Sequence, residues 1–362
     1  MQRRDMLKKV AAGAAATGAL AAPSIASAQA TMNWRCVSSF PKSLDTIFGG
    51  AEVVQKRVAE ISGGKFNIRV FAAGEVVPGL QVADAVQNGT VECGHTALYY
   101  YVGKDPVWTF GTAIPFGMNF RTFNAWWIHG GGNELLNNEF YHKQGIHTLL
   151  AGNTGGQMGG WFNKEIKSVD DLKGLKFRIG GFAGQALAKL GAVPSMIAGG
   201  EIYQALERGT IDGAEWIGPY DDEKLGFQKV SKFYYYPGWW EPGPALHLIV
   251  NLKVWEGLSK ENKSLLETAS YEANQSMMAK YDFENPRALK RLVASGTQLK
   301  SFPKSVMDAC YKASQEVYAE TGAKNPLFKR IFDHQMAFQN DAVQWFRLNE
   351  GAYDSYMGTI RR

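Results

Sequence analysis

The chain has 362 residues, a formal net charge of +5, and 45% hydrophobic, 20% charged and 12% aromatic residues. That is the balance of a water-soluble globular protein too long for one ordinary core, so two domains are expected. The small net charge excludes an electrostatic footprint for nucleic acid or a membrane surface. Three widely spaced cysteines without a CxxC, Cys36, Cys93 and Cys310, exclude a disulfide framework and read as buried thiols.

The first 28 residues read as an export signal. Arg3-Arg4-Asp5-Met6-Leu7-Lys8-Lys9 is a basic start, Val10 to Ala22 a weakly apolar run, and Ala26-Ser27-Ala28 a small-residue cleavage site. The paired arginines resemble a twin-arginine signal, with an ordinary Sec signal as the alternative. The apolar run falls short of the ~20 residues of a membrane span. Losing this segment, with its four basic and one acidic residue, takes the net charge to +2.

Met32 to Ser38 reads as a first strand, followed by a turn at Phe40-Pro41-Lys42. Asp45 to Ser62 carries apolar residues at 47, 48, 51, 54, 58 and 61, the spacing of an amphipathic helix that stops at Gly63-Gly64. Lys65 to Phe71 alternates as a strand, and Gly79 to Gln87 is a helix leading to Gly89-Thr90-Val91-Glu92. A second stretch has the same shape 120 residues later, where Ala205 to Arg208 runs into Gly209-Thr210-Ile211-Asp212-Gly213-Ala214-Glu215-Trp216. In each, glycine supplies the positive φ that ends a helix before an apolar strand. Two such corners predict two α/β lobes on one plan, with a ligand cleft between them.

Tyr99 to Trp127 is a loop-rich aromatic segment that serves either as packing for a long connection or as a cleft wall. The second lobe is expected to open near Leu149-Leu150-Ala151-Gly152-Asn153. Strands follow at Trp161-Phe162 and Lys176 to Ile179, separated by a short helical turn opened by Ser168. Ala245 to Asn251 is a continuous apolar strand expected to return to the first lobe. Long helical patterns close the chain at Lys260 to Tyr281 and beyond, Lys304 to Thr321, and Pro326 to Leu348. The last presents a broad apolar face over ~30 Å, which serves either its own lobe or a dimer contact. The predicted plan is 31–152 as the first part of lobe I, 153–242 as lobe II, 243–283 as the return to lobe I, and 284–362 as C-terminal helices packing on lobe II and making a dimer contact.

None of the histidines at 95, 129, 142, 147, 247 and 334 falls in an HxH or HExxH spacing, and no GxSxG, Walker A or GxGxxG occurs. Enzyme is therefore the weaker class, and binding fits better. Arg178 closes an apolar strand before Gly180-Gly181, where a guanidinium offers a bidentate fork to a carboxylate; the alternative is a strand-end arginine paired within its own lobe. Glu215 beside an anionic ligand requires a cation between them. Glu215, the Gln157 amide oxygen, the Trp216 carbonyl and Glu241 form an all-oxygen set suited to a hard cation.

The run from Trp161 through Leu172-Lys173-Gly174-Leu175-Lys176-Phe177-Arg178, the corner Gly209 to Trp216, and Val250-Asn251-Leu252-Lys253-Val254-Trp255 resemble the DctP-type solute-binding proteins of TRAP transporters. Gln157, Glu215-Trp216, the Tyr99-Tyr100-Tyr101 cluster and the long C-terminal helix resemble in particular the 2-oxoacid-binding, TakP-like branch. The resemblance implies a two-lobed periplasmic-binding-protein-like fold with a hinge, a central cleft and long C-terminal helices. It implies Arg178 as the carboxylate clamp and a metal ion, sodium first and calcium as the alternative, held by Gln157, Glu215 and Trp216, with Glu241 added. It also implies delivery of a small carboxylate such as pyruvate to a TRAP membrane permease, and a homodimer through the C-terminal helix. Phe40, Asn153, Tyr100 and Tyr101 are the further expected lining residues, with Tyr99 undecided. The competing readings are a lactate-type 2-hydroxyacid binder, an exported enzyme on the same scaffold, and a sensory ligand-binding protein.

Overall fold

A computed structural model describes residues 31–360; the export-signal reading of residues 1–28 lies outside the described residues. β1 (Met32–Ser38) lies parallel to β2 (Phe66–Phe71) in the register Met32↔Phe66. Between them α1 (Ile47–Ile61) buries Ile47, Phe48, Ala51, Val54 and Val58 on one face and is followed by Gly63 and Gly64 at φ 59° and 78°. α2 (Val82–Gln87) then turns at Gly89, φ 77°, into β3 (Cys93–Thr96), which lies on the other side of β1. β4 (Ile146–Asn153) and β10 (Ala245–Asn251) complete a five-stranded sheet of order β2-β1-β3-β10-β4, with β10 antiparallel to both neighbours.

The second sheet is built from β5 (Trp161–Phe162), β6 (Lys176–Arg178), β7 (Val193–Ser195), β8 (Gly213–Ala214), β9 (Phe233–Tyr236) and β11 (Gln298–Ser301), in the order β11-β9-β5-β8-β6-β7. The second corner forms as predicted, with Gly209 at φ 69°. In both corners the apolar residue after the glycine, Val91 or Ile211, is buried, yet pairing starts two residues later. Two sheets flanked by helices make the bilobed architecture expected of a ligand-closing fold.

The structure departs from the sequence reading at Leu149–Asn153. This run is the end of β4, paired to β10 through Leu149↔Leu248 and Asn153↔Ala245, so it closes the first sheet instead of opening the second. An apolar strand carries no local mark of which sheet will pair with it; long-range partners decide. The aromatic segment divides between its two readings. Trp108, Trp126 and Trp127 are fully buried packing residues, and Tyr99 and Tyr100 reach the cleft.

Five helices that carry no site residue complete the lobes: α3 (Phe120–Ile128), α4 (Gly132–Leu136), α5 (Gly181–Lys189), α6 (Ile202–Glu207) and α8 (Leu252–Glu256). α7 (Pro219–Leu225) lies at the junction of the lobes, where α9 (Lys260–Ala294) passes from one to the other. Its 35 residues make a rod of about 50 Å. Leu265, Ala269 and Ala273 pack in the first-sheet core with Trp34 and Val54, and Met277, Tyr281 and Leu292 pack with Trp161 and Trp216. α10 (Lys304–Lys324) packs on α5, and α11 (Pro326–Leu348) sets Phe328 and Ile331 against Phe110 and Trp126. α12 (Glu350–Ile360) buries none of its own residues. Cys36, Cys93 and Cys310 are free and buried. Among the described residues no helix is long and apolar enough to cross a membrane.

At the junction two consecutive carboxyls on α7 are buried together. Asp221 accepts from the Tyr281 hydroxyl at 2.7 Å, and Asp222 accepts from Trp161 Nε1 at 3.0 Å and the Tyr234 hydroxyl at 2.7 Å. Burial pushes both up to about 7 from an ordinary 3.8. The folded chain thus keeps protons that the unfolded chain sheds near pH 4, so stability falls as pH rises from about 4 to about 7. Asp221→Asn keeps an oxygen for Tyr281 and removes one titration. Across that window its unfolding free energy, measured in urea, should gain on the wild type's; parallel curves would contradict the buried-acid account.

Candidate ligand and cation site

In an open α/β sheet, ligands collect outside the carboxyl ends of strands where the chain order reverses. In the first sheet the reversal lies at β1 and β3, and the residues just beyond them are Phe40 and Ala97 to Tyr100. In the second it lies between β6 and β8, paired Arg178↔Ala214, and the residues there are Arg178 and Glu215-Trp216. The two switch points face each other, and between them is a small cavity lined by Phe40, Ile47, Ala97, Tyr99, Tyr100, Thr154, Gln157, Trp216, Ile217, Glu241, Pro244 and Leu246. The free space left inside is about 20 Å³, near the minimum for one water, so a guest enters only when the lobes part. Larger hollows lie on the surface, by Lys65 and Glu261 and by Gln81 and Gly200, but the buried Glu241 lines the small one and the buried Arg178–Glu215 pair lies behind its Trp216.

Arg178 is 1% exposed at the end of β6. Its Nη1 pairs with the Glu215 carboxylate and donates to the Glu215 carbonyl at 2.9 Å; its Nε donates to the Ile197 carbonyl at 3.0 Å. Nη2 meets only the Met196 sulfur, at 3.9 Å, among the described residues. The guanidinium sits 5.2 Å from the Trp216 ring centre, a cation–π contact. Burial works against its charge, but Glu215 and then Tyr99, Tyr100 and Glu241 outweigh it and hold the guanidinium protonated. Arg178 is thus paired within its own lobe and still has one nitrogen without an oxygen partner.

Around it stand oxygens with nothing to accept. Gln157 donates through Nε2 to Thr154 Oγ1 at 3.1 Å, which fixes its amide, and its Oε1 has no donor; Glu215 Oε2 has none either. Burial raises the Glu215 carboxyl to about 7 against the pull of Arg178. Burial, and then Glu215, push the Glu241 carboxyl well above the usual range, opposed by Arg178, the Tyr99 hydroxyl and the Gln157 amide. Unpaired buried acceptors are costly, and a hard cation with oxygen ligands is the chemistry that satisfies acceptors alone. Among the described residues there is no cluster of three His, Cys, Asp or Glu; the set at the cleft is two carboxylates and an amide.

Phe40, Tyr100, Gln157, Trp216 and Glu241 all line the cavity, whereas Arg178 and Glu215 do not line it and lie behind its Trp216 wall, the guanidinium against the Trp216 ring. Two expected lining residues are elsewhere. The Tyr101 hydroxyl is bound to Thr96 Oγ1 at 2.9 Å and the Ala83 N–H at 3.1 Å, and its ring packs on Trp108, because the short helical turn at 98–101 points it back into the first lobe. Asn153 donates to the Gly243 carbonyl at 3.0 Å and accepts from the Gly155 N–H at 2.8 Å, which shapes the loop carrying Thr154 and Gln157. Tyr99 takes the place assigned to Tyr101. Ile47, Ile217 and Leu246 were missed because apolar residues on α1 and β10 look the same whether they face a core or a ligand.

The sequence profile of the DctP family, described as bacterial extracellular solute-binding protein, family 7, matches residues 37–325. The chain is similar to the monocarboxylate 2-oxoacid-binding periplasmic protein of Nostoc sp., 48% identical over 98% of this chain and 99% of that one. Its fold is similar to a TRAP transporter solute-binding protein of Bordetella bronchiseptica, a mixed-occupancy dimer with co-purified calcium and picolinate in one site (TM-score 0.90, 51% identity, 91% of this chain and 98% of that one). It is also similar to one of Pseudoalteromonas atlantica with bound sodium and pyruvate (TM-score 0.87, 38% identity, 90% of this chain and 99% of that one).

Replacing Arg178 by Met leaves Glu215 buried without its cation. A broken buried pair costs ~3–5 kcal/mol, so denaturant unfolding at pH 8 should show a loss of that order. The deficit should shrink toward pH 5, where Glu215 takes up a proton in both proteins. An equal deficit at both pH values would contradict the ion-pair account.

Proposed function

The chain belongs to the DctP family of bacterial extracellular solute-binding proteins, and from that premise we propose that it captures a small 2-oxoacid, pyruvate first, together with a metal ion. The family is a non-catalytic transport class: its members work in the periplasm and deliver a captured solute to the membrane permease of a TRAP transporter. The observation that carries the ligand reading is the pair of donorless buried acceptors, Gln157 Oε1 and Glu215 Oε2, beside an arginine whose Nη2 has no oxygen partner. Arg178 would bind the ligand carboxylate, and Gln157, Glu215, the Trp216 carbonyl and Glu241 would hold the ion. The lobe boundaries we propose are 31–152 and 243–283 for lobe I and 153–242 for lobe II, followed by the C-terminal helices at 284–362.

The charges favour a divalent ion. Arg178, ionised Glu215 and Glu241, a calcium ion and one monocarboxylate sum to zero; with sodium, neutrality requires Glu241 to keep its proton. Relatives with calcium and with sodium both occur, and the burial that raises the Glu241 carboxyl makes the second arrangement workable. A bound ligand stabilises by ~2.7 kcal/mol at one hundred times its dissociation constant. Pyruvate should therefore raise the melting temperature with calcium or sodium present and not in sodium-free buffer with chelator, and Gln157→Leu should abolish the ion dependence. Titration in buffers of different ionisation enthalpy should show proton release with calcium and less with sodium. A 2-hydroxyacid such as lactate keeps the carboxylate and replaces the keto oxygen by a hydroxyl; a larger shift with lactate than with pyruvate would move the assignment to that class. Turnover of the ligand would overturn it altogether.

For the dimer, the support is an apolar face at the C-terminus. Val343, Trp345, Leu348, Tyr353, Tyr356 and Ile360 are more than half exposed on α11 and α12, and exposed apolar surface of this amount is what an interface covers. Trp345→Glu with Leu348→Glu should convert a dimer to a monomer in analytical ultracentrifugation and leave pyruvate binding intact. A dimer that survives the pair of changes would place the contact elsewhere.

A further inference from the structure

Tyr99 follows β3 of the first sheet and Gly180 follows β6 of the second, so a contact between them crosses the cleft. It is unusually close. A Cβ built on Gly180 would stand 2.1 Å from Tyr99 Cε2 and 2.8 Å from Met196 Cε, and one on Gly181 would stand 3.1 Å from Tyr99 Cδ2. The Tyr99 ring therefore rests on bare backbone, two residues from Arg178. Backbone conformation does not demand a glycine at 180, where φ is −93° and ψ 170°, extended geometry that any residue adopts. The ring demands it.

The ring has no easy way to step aside. The Tyr99 N–H is bound to Thr112 Oγ1 at 3.2 Å, and its ring packs 4.9 Å from that of Tyr100. Tyr99 is 6% exposed with the lobes together.

We infer that the bare backbone of Gly180 is the seat on which Tyr99 closes the cleft, so that one methyl group there holds the lobes apart without touching Arg178, Gln157, Glu215 or Glu241. The inference rests on the proposed pyruvate and metal-ion reading. Tyr99 and Gly180 are positioning residues: they set the fraction of molecules able to close, and apparent affinity scales with that fraction.

The test is calorimetric titration of the mature chain with pyruvate, and separately picolinate, in excess calcium, alongside X-ray scattering with and without ligand. Gly180→Ala should weaken binding on the order of tenfold or more, lose the ligand-induced contraction, and keep the ligand-free melting temperature of the wild type. Adding Gly180→Ala to Tyr99→Ala should cost far less than in the wild type, because no ring remains and only the flexible end of Met196 meets the methyl; adding it to Tyr99→Phe should cost as much as in the wild type. Equal costs in the Tyr99→Ala and wild-type backgrounds, or no cost in the wild type, would overturn the inference. If Gly180→Ala does not fold, Tyr99→Trp places the excess bulk on the opposite side of the contact and must show the same loss. If the wild type binds neither acid, the functional reading fails. Scattering then judges the seat: Gly180→Ala must have the larger radius of gyration, and an equal radius overturns it.

Discussion

The structure turns on a buried ion pair at the ends of two neighbouring parallel strands. Arg178 and Glu215 sit at 1% and 0% exposure where β6 and β8 stop, and the Glu215 N–H donates to the Arg178 carbonyl at 3.1 Å. Burying both charges is expensive, and their mutual attraction offsets the cost only when the remaining donors and acceptors are met. Here they are met in part. The guanidinium spends Nη1 and Nε on protein oxygens and leaves Nη2 to a sulfur, and the carboxylate leaves Oε2 without a donor. The unmet half is one donor and one acceptor, and under the proposed reading an anion and a cation together would complete it better than either alone.

The fold delivers those groups by repeating one device. Each sheet reverses its strand order beside a helix-to-strand corner ended by a left-handed glycine, and each reversal presents its residues at the strands' carboxyl ends. The first sheet contributes mainly rings, Phe40, Tyr99 and Tyr100; the second contributes the charges and Trp216. An aromatic wall that closes over a charged floor excludes water and lowers the local dielectric, which strengthens every polar contact made there. α9 runs through both lobes as a shared rod, and its Tyr281 is tied to Asp221 at their junction. The two lobes thus share one support.

Much of this was legible in the sequence because it rests on local chemistry. The corners at Gly89 and Gly209 announced themselves through glycine after a helix, the capping box at Ser168 and Asp171 formed where a serine opened a turn, and α11 begins at Pro326 as its pattern predicted. Arg178 and Glu215 stood out as charges at the ends of apolar strands. What stayed hidden depends on distant partners or on a side chain's direction. β4 ends at Asn153 because β10 pairs with it from ninety residues away. Tyr101 turns inward and Tyr99 outward because a tight helical turn rotates consecutive residues to different sides, a rotation that three tyrosines in a row do not encode. The role of Gly180 was out of reach for the same reason, since the residue that requires it is on the other sheet.

The central claim is that one guanidinium grips a carboxylate while a metal ion meets the acceptors beside it. A crystal structure grown with pyruvate and calcium tests it most directly. The account predicts the pyruvate carboxylate on Arg178 Nη2 and a calcium ion about 2.3–2.6 Å from Gln157 Oε1 and Glu215 Oε2. A cleft in which pyruvate lies away from Arg178, or in which no ion touches those two oxygens, would contradict it.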